Sequence, residues 1–100
     1  MIRDEIIQAI RANQTIADAD LSGIDLSGAD LTGGRFHNVV FHDARLAGAN
    51  ILKTGFKDCD FTGATFDGTD LTKVDLRGMN LTRASFKGVK LQWTMLQNAI

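Results

Sequence analysis

The chain has 100 residues, a single cysteine and a formal net charge of −1, which is the size of one small domain. The balanced charge gives no general attraction to nucleic acid or to acidic membranes, and one cysteine excludes an internal disulfide and fits a reducing compartment. The start of the sequence lacks the features of a secretory signal, and no apolar run is long enough to cross a membrane, so we expect a cytoplasmic protein that binds neither membranes nor nucleic acid directly.

The first predicted element is an amphipathic helix over residues 2–12. Its apolar residues follow helical spacing, and they are Ile2, Ile6, Ile7, Ala9 and Ile10. Asp4 and Glu5 lie in the first turn, where negative charge interacts favourably with the helix dipole. We expect residues 1–13 to form a capping helix over the structure that follows. A helix lying on a membrane surface is the alternative, but its polar face lacks the cluster of Lys and Arg that such helices carry.

From residue 16 onward, an apolar residue recurs at every fifth position. All seventeen members are Leu, Ile or Phe: Ile16, Leu21, Leu26, Leu31, Phe36, Phe41, Leu46, Ile51, Phe56, Phe61, Phe66, Leu71, Leu76, Leu81, Phe86, Leu91 and Leu96. A strand repeats every two residues and a helix every 3.6, so neither produces this period. The sequence is therefore built on an internal five-residue repeat.

The other positions of the repeat have preferences of their own. The residue two before each apolar centre is mostly small, the residue just before it is often Asp or Asn, and the residue two after it is often Gly. One large and one small side chain per repeat are expected to point into a common core. The chain is expected to bend in every repeat, because Gly, Asp and Asn tolerate turn geometry. Four repeats then close a square coil of 20 residues, and coils stacked about 4.8 Å apart satisfy each other's backbone groups.

This pattern resembles the pentapeptide-repeat family, whose motif is of the type A(D/N)LxG. The segments that carry it most plainly are AlaAspLeuSerGly (19–23), AlaAspLeuThrGly (29–33) and ThrAspLeuThrLys (69–73), and the resemblance extends over about residues 14–99. It implies an all-β solenoid, a right-handed quadrilateral β-helix. We therefore expect residues 14–100 to form a pentapeptide-repeat β-helix of about four coils.

The 20-residue period predicts which side chains stack in neighbouring coils. Three pairs of phenylalanines fall one coil apart and are expected to form offset stacks: Phe36 with Phe56, Phe41 with Phe61, and Phe66 with Phe86. All seventeen centres are expected to point inward. Residues 20 apart are expected to lie in one column. Val40 therefore falls between Asp20 and Asp60, which argues against a continuous ladder of acids that could bind calcium.

The C-terminal end of the sequence shows no cap. It finishes in register with the repeat, and an open solenoid end exposes apolar core and unpaired backbone. We expect this uncapped C-terminal coil to bind a protein partner or a second copy of the chain. The expected contact residues there are Trp93, Met95, Leu96 and Ile100.

No set of residues predicts catalysis, and we assign no catalytic, metal-binding or cofactor-binding residue. His37 and His42 occupy the same outward position on adjacent faces, with Asp43 the only obvious further metal ligand, so we interpret them as surface histidines. Cys59 fills the small inward position and is expected to be a buried structural thiol. The aspartates that precede repeat centres are expected to bond turn backbone: Asp20, Asp25, Asp30, Asp70 and Asp75.

Charge is separated along the expected axis. Residues 1–34 contain six acids and two arginines, a formal charge of −4, and residues 77–100 contain four bases and no acid, a formal charge of +4. The C-terminal end should therefore favour an acidic surface. Charge that serves only solubility is the alternative interpretation.

One face looks least like ordinary solvent surface. Leu52 lies outward where neighbouring coils have Thr32 and Thr72, and a column beginning with Gly33 continues with Lys53, Lys73 and Trp93. An exposed Trp is often a binding anchor. Equally, Trp93 could seal the end of the solenoid by covering the Lys73 stem.

These observations favour a non-enzymatic protein-interaction scaffold. The family resemblance adds two alternatives: a DNA-mimicking modulator of a type II topoisomerase such as gyrase, and a secreted bacterial effector or targeting module. DNA mimicry requires acidic faces, and here the acids are diluted by bases. These bases are Arg35, Arg45, Lys53, Lys57 and Lys73.

Overall fold

The computed structural model describes residues 1–100, and the chain winds through it as a parallel solenoid behind one short helix. The helix α1 spans Arg3–Arg11, and three strands follow: β1 at Thr15–Ala17, β2 at Arg35–His37 and β3 at Gly55–Lys57. The strands pair in parallel in the order β1-β2-β3, with Ile16 opposite Phe36 and Phe36 opposite Phe56. The predicted 20-residue period is therefore the observed register.

The same register holds on the other sides of the solenoid. Each side is built from single parallel bridges between residues 20 apart, such as Asp20 with Val40 and Val40 with Asp60. A turn in every repeat prevents longer strands, because only the residues around each apolar centre are extended. As predicted, Val40 lies between the two aspartates, so that column holds no ladder of acids.

Helix α1 is one residue shorter at each end than the predicted segment 2–12. At its start, the backbone N–H of Ile2 donates to Oε1 of Glu5 at 3.0 Å. At its end, the N–H groups of Asn13 and Gln14 donate to the carbonyls of Ile10 and Ala9, which is the bonding of a Schellman motif. Asn13 has the left-handed φ of 61° that this motif requires.

Helix α1 packs against the apolar core at the N-terminal end of the solenoid. Ile6 is completely buried in the same cluster as the repeat centres. The Arg3 guanidinium donates to the backbone carbonyls of Asp25 at 3.2 Å and Ser27 at 2.9 Å. A Cβ on Gly34 would lie 3.1 Å from Cδ1 of Ile10, so the helix explains why the small inward position is glycine there.

The core consists of the inward columns predicted by the repeat. The three phenylalanine pairs are stacked, with ring centroids 5.5, 4.9 and 5.1 Å apart and interplanar angles of 15°, 6° and 4°. The burial of the repeat centres decreases toward the C-terminal end, where Leu81 and Phe86 are partly buried and Leu91 and Leu96 are 48% and 42% exposed. No later coil within residues 1–100 covers them.

The described molecule measures 29 × 20 × 19 Å. None of its helices combines the length and the apolar character needed to cross a membrane.

Candidate interaction surface

The two histidines pair with aspartates of the next coil. Nε2 of His42 lies 2.8 Å from Oδ2 of Asp60, and Nε2 of His37 lies 3.5 Å from Oδ2 of Asp58. Asp43, the ligand considered from sequence, is not a partner of either, and its side chain lies over Gly63. No group of three or more His, Cys, Asp or Glu side chains is placed to hold a metal ion. The 20-residue register could have revealed both pairs, since each joins neighbouring coils.

The aspartates that precede repeat centres bond the turn that follows them, as predicted. Oδ1 of Asp20 accepts from the Ser22 backbone N–H at 3.0 Å and from its hydroxyl at 2.6 Å, and Asp30 and Asp70 bond Thr32 and Thr72 in the same way. These hydroxyl bonds, with the backbone bonds, lower the pKa of each of the three carboxyls. The carboxylates therefore stabilise the turns.

Cys59 occupies the small inward position and is buried. Its Sγ lies 3.7 Å from the carbonyl oxygen of Phe36 and 3.5 Å from that of Lys57. Burial raises the pKa of the thiol, so at neutral pH it is protonated and a poor nucleophile.

The residue two after each apolar centre is left-handed in every repeat. From residue 13 to residue 98, every fifth residue has a positive φ: eight are glycines and ten are not. Six of those ten are Asn or Asp, which tolerate this conformation. The other four are Lys53, Lys73, Arg83 and Trp93, residue types with no such tolerance.

Three of these four exceptions share one column. Lys53, Lys73 and Trp93 succeed one another at 20-residue intervals, and the position before them in the column is Gly33. Leu52 lies beside Lys53 and is 40% exposed, while Trp93 is 80% exposed. We call this surface, made of Leu52, Lys53, Lys73 and Trp93, the lysine–tryptophan face.

The side chains of the lysine–tryptophan face have no partners within the molecule. Neither lysine takes part in a side-chain hydrogen bond or an ion pair, and no cation–π contact joins Trp93 to Lys73. The high exposure of Trp93 favours the binding-anchor interpretation of the sequence over the end seal. The backbone beneath is ordered by coil-to-coil bonds such as Lys73 N–H to the Gln92 carbonyl at 2.9 Å.

The C-terminal coil adds apolar surface next to this face. Leu96 is 42% and Ile100 74% exposed, whereas Met95 is half-buried. The Met95 N–H donates to the Val74 carbonyl at 3.0 Å. The structure thus brings Trp93, Leu96 and Ile100 to the exposed end.

Positive charge surrounds this end of the solenoid. Residues 77–100 carry a formal charge of +4. Of the four bases, Arg77 is paired, with Nη2 2.8 Å from Oδ2 of Asp75, whereas Arg83, Lys87 and Lys90 form no ion pair. The lysine–tryptophan face adds Lys53 and Lys73. The arrangement can bind negative charge around an apolar anchor.

The sequence matches the family model described as pentapeptide repeats. The match has 8 copies and covers residues 19–53, 40–78 and 75–100. A search among curated proteins finds no significant match.

Several solved structures share the fold. HetL, a pentapeptide repeat protein involved in heterocyst differentiation regulation in the cyanobacterium Nostoc, is 30% identical with a TM-score of 0.76, over 80% of this chain and 37% of HetL. A pentapeptide repeat protein of the Arabidopsis thaliana thylakoid lumen is 23% identical with a TM-score of 0.80, over 93% of this chain and 64% of that one. QnrB1, a plasmid-mediated fluoroquinolone resistance protein, is 20% identical with a TM-score of 0.61, over 86% of this chain and 44% of QnrB1.

The Arabidopsis protein and QnrB1 are each less than 25% identical to this chain, so their similarity shows the fold alone. The chain spans less than two thirds of the length of each of the three proteins.

Proposed function

Because the chain belongs to the pentapeptide-repeat family, we propose that it is a non-enzymatic scaffold that docks an acidic protein partner on its lysine–tryptophan face. Proteins of this family form right-handed quadrilateral β-helices and are generally structural or interaction proteins. HetL acts in a regulatory process, which is compatible with a scaffold of this kind.

The backbone conformation of the face carries the proposal. A left-handed residue that is not glycine costs roughly 1–2 kcal/mol, and glycine fills the same position in eight repeats. Lys53 and Lys73 form no side-chain hydrogen bond or ion pair, and Trp93 is largely exposed. Three of the four such residues lie in this one column, whereas Arg83 is alone on another side. The clustering of unfavourable conformations on one face points to a function outside folding.

The chemistry of the face indicates the partner. An exposed Trp beside a Leu offers an apolar anchor of the kind that dominates binding energy, and unpaired lysines around it attract negative charge and raise the rate of association. An acidic protein surface with an apolar depression complements both features.

We further infer the arrangement of the whole scaffold. Residues 1–13 form the cap, whose role is supported by the burial of Ile6, and residues 14–100 form about four coils. The edge formed by Met95, Leu96 and Ile100 extends the docking surface beyond Trp93.

Four glycine variants test the proposal without unfolding the protein. Trp93→Gly, Lys73→Gly and Lys53→Gly place glycine where the backbone is already left-handed, so the fold should tolerate each of them. Arg83→Gly is the matched control, since Arg83 occupies the same position on another side of the solenoid. Each tagged variant is used for affinity capture from a lysate of the source cell, followed by carbodiimide coupling, which joins lysine amines to carboxylates in direct contact.

We expect the wild-type protein and Arg83→Gly to capture the same protein, coupled through its Asp or Glu to Lys53 or Lys73. Trp93→Gly and Lys73→Gly should each capture at least ten-fold less of this protein. Capture that survives both substitutions together, or no captured protein that couples to these lysines, would overturn the proposal.

A further inference from the structure

A second surface feature lies on the side of the solenoid formed by β1, β2 and β3. Gly55 begins β3 in the position just before Phe56. The corresponding residues of the coils on either side are Arg35 and Asp75, so Gly55 leaves a gap in a row of side chains. Arg35 pairs with Gly55 across the strands.

Neither the backbone nor the packing requires glycine at this position. Gly55 is not among the residues with positive φ, and a Cβ built on it would meet no atom within 4 Å. Glycine within a strand is roughly 0.5–1 kcal/mol less favourable than alanine. It often marks a place where a ligand or another backbone approaches closely.

The gap opens into a cavity of about 330 Å³, within the range of about 300–1,000 Å³ typical of small-molecule sites. Its floor is the strand backbone at Gly55 and at Phe36 and Phe56, whose rings lie on the inner side of the strands, in the core. Arg35, His37, Lys57 and Asp75 surround it. A second cavity of about 430 Å³ adjoins it and shares Phe56, Lys57 and Asp75. Together they form a groove across the side of the solenoid.

Most charges around the groove are already engaged. The Arg35 guanidinium donates to the Asn13 carbonyl at 2.6 Å and to Oδ1 of Asn13 at 2.9 Å. Asp75 accepts from Arg77 at 2.9 and 2.8 Å, which neutralises the acid closest to the gap. His37 lies 3.5 Å from Asp58.

Lys57 is the one charged side chain of the cavity without a partner. It forms no side-chain hydrogen bond or ion pair, and it borders both parts of the groove. We propose that the Gly55 groove binds a small organic carboxylate, with the carboxylate on the Lys57 ammonium and a flat apolar part over the uncovered backbone at Gly55. This site is separate from the lysine–tryptophan face, and its existence does not depend on the proposed function.

An NMR titration tests the proposal with benzoate as the probe. Benzyl alcohol has a similar size without charge, and inorganic phosphate has charge without an apolar part. We expect benzoate to cause saturable amide shifts centred on Gly55, Phe56 and Lys57, with a Kd of the order of 1 mM. Both comparison compounds should bind at least five-fold more weakly.

Two variants locate the site. Gly55→Asn fills the gap with a residue that the chain already uses just before a repeat centre, at Asn50 and Asn80, and it should weaken benzoate binding at least ten-fold. Lys57→Gln should weaken it at least five-fold. Lys87→Gln is the matched control, because Lys87 holds the equivalent position on another side.

The absence of saturable shifts, or unchanged affinity in Gly55→Asn, would overturn the proposal. Equal binding of benzyl alcohol would refute the role of Lys57. Equal binding of phosphate would refute the contact of the apolar part with the strand at Gly55. Because every measurement is made on folded protein, with amide spectra reporting the fold of each variant, loss of binding is distinguishable from loss of structure.

Discussion

At the scale of single residues, one backbone position explains much of the sequence pattern. From residue 13 to residue 98, every fifth residue has a φ between 54° and 74°. Glycine, Asn and Asp fill most of these positions because they adopt this region at low cost. The exceptions are therefore informative, and Lys53, Lys73 and Trp93 fall on one face.

Replacing Trp93 by glycine should stabilise the fold. The change removes a left-handed tryptophan, so we expect the free energy of unfolding to rise by about 1 kcal/mol, measured by urea denaturation. Gln92→Gly is the control, since Gln92 has no positive φ, and it should destabilise the protein. A loss of stability in Trp93→Gly would mean that the indole packs in the fold.

Acid should destabilise the protein through its turn carboxylates. Hydroxyl bonds from Ser22, Thr32 and Thr72 lower the pKa values of Asp20, Asp30 and Asp70 below the ordinary 3.8. As the pH falls through this range, the unfolded chain binds more protons than the folded one. The stabilisation from these carboxylates is therefore complete above about pH 5 and is lost as the pH falls through the folded pKa values.

Urea denaturation at pH 6 and pH 3 measures this effect. Thr72→Val removes one hydroxyl donor and should reduce the difference in stability between the two pH values. Equal stability of the wild-type protein at both would contradict the prediction.

At the scale of elements, helix α1 and the solenoid form one core. Helix α1 is only nine residues long, too short to be stable alone in water, so its burial against the first coil must hold it. The solenoid in turn has its first inward columns covered by the helix.

Ile6→Ala should lower the free energy of unfolding by about 2–5 kcal/mol, since Ile6 is completely buried and the change leaves a cavity. Ile2→Ala is the matched control, because Ile2 is 64% exposed, and it should cost less than about 1 kcal/mol. Thermal unfolding followed by circular dichroism measures both. Similar values for the two variants would contradict the capping role of the helix.

At the scale of the whole molecule, charge is distributed along the axis. The negative N-terminal part and the positive C-terminal end make the solenoid a dipole, and two C-terminal ends repel each other. Acidic columns, which a DNA mimic would need, are interrupted: Arg45 lies 3.4 Å from Asp25, and Val40 separates Asp20 from Asp60.

Self-association through the C-terminal coil should depend on salt. Repulsion between two +4 ends is screened at about 1 M salt, where the Debye length is about 3 Å, so the apparent mass should rise from low to high ionic strength. Light scattering measures the mass, and Leu96→Glu should abolish the rise. A monomer under both conditions would reject a homodimer of this kind.

The interrupted acidic columns also predict that DNA gyrase is not a target. We expect saturating protein to leave the rate of DNA supercoiling by gyrase unchanged. Inhibition or protection of gyrase in that assay would restore the alternative of DNA mimicry.

The sequence by itself determined the solenoid. A five-residue period over residues 16–96 directs every centre toward one core when four repeats close a coil, so the 20-residue register and the stacking of Phe36 on Phe56 could be predicted. The inward position of Cys59 and the turn bonds of the aspartates followed from the same period. The position of Leu52, Lys53, Lys73 and Trp93 in one outward region also followed.

Only the tertiary structure decided what those outward residues do. Whether the Trp93 ring covers Lys73 or stands in solvent depends on a side-chain conformation that the repeat leaves open. The groove at Gly55 depends on side chains from the neighbouring coils. The period fixes which residues are adjacent, because burial and backbone bonding demand it, but distances and free space between side chains arise from the packing of the finished solenoid.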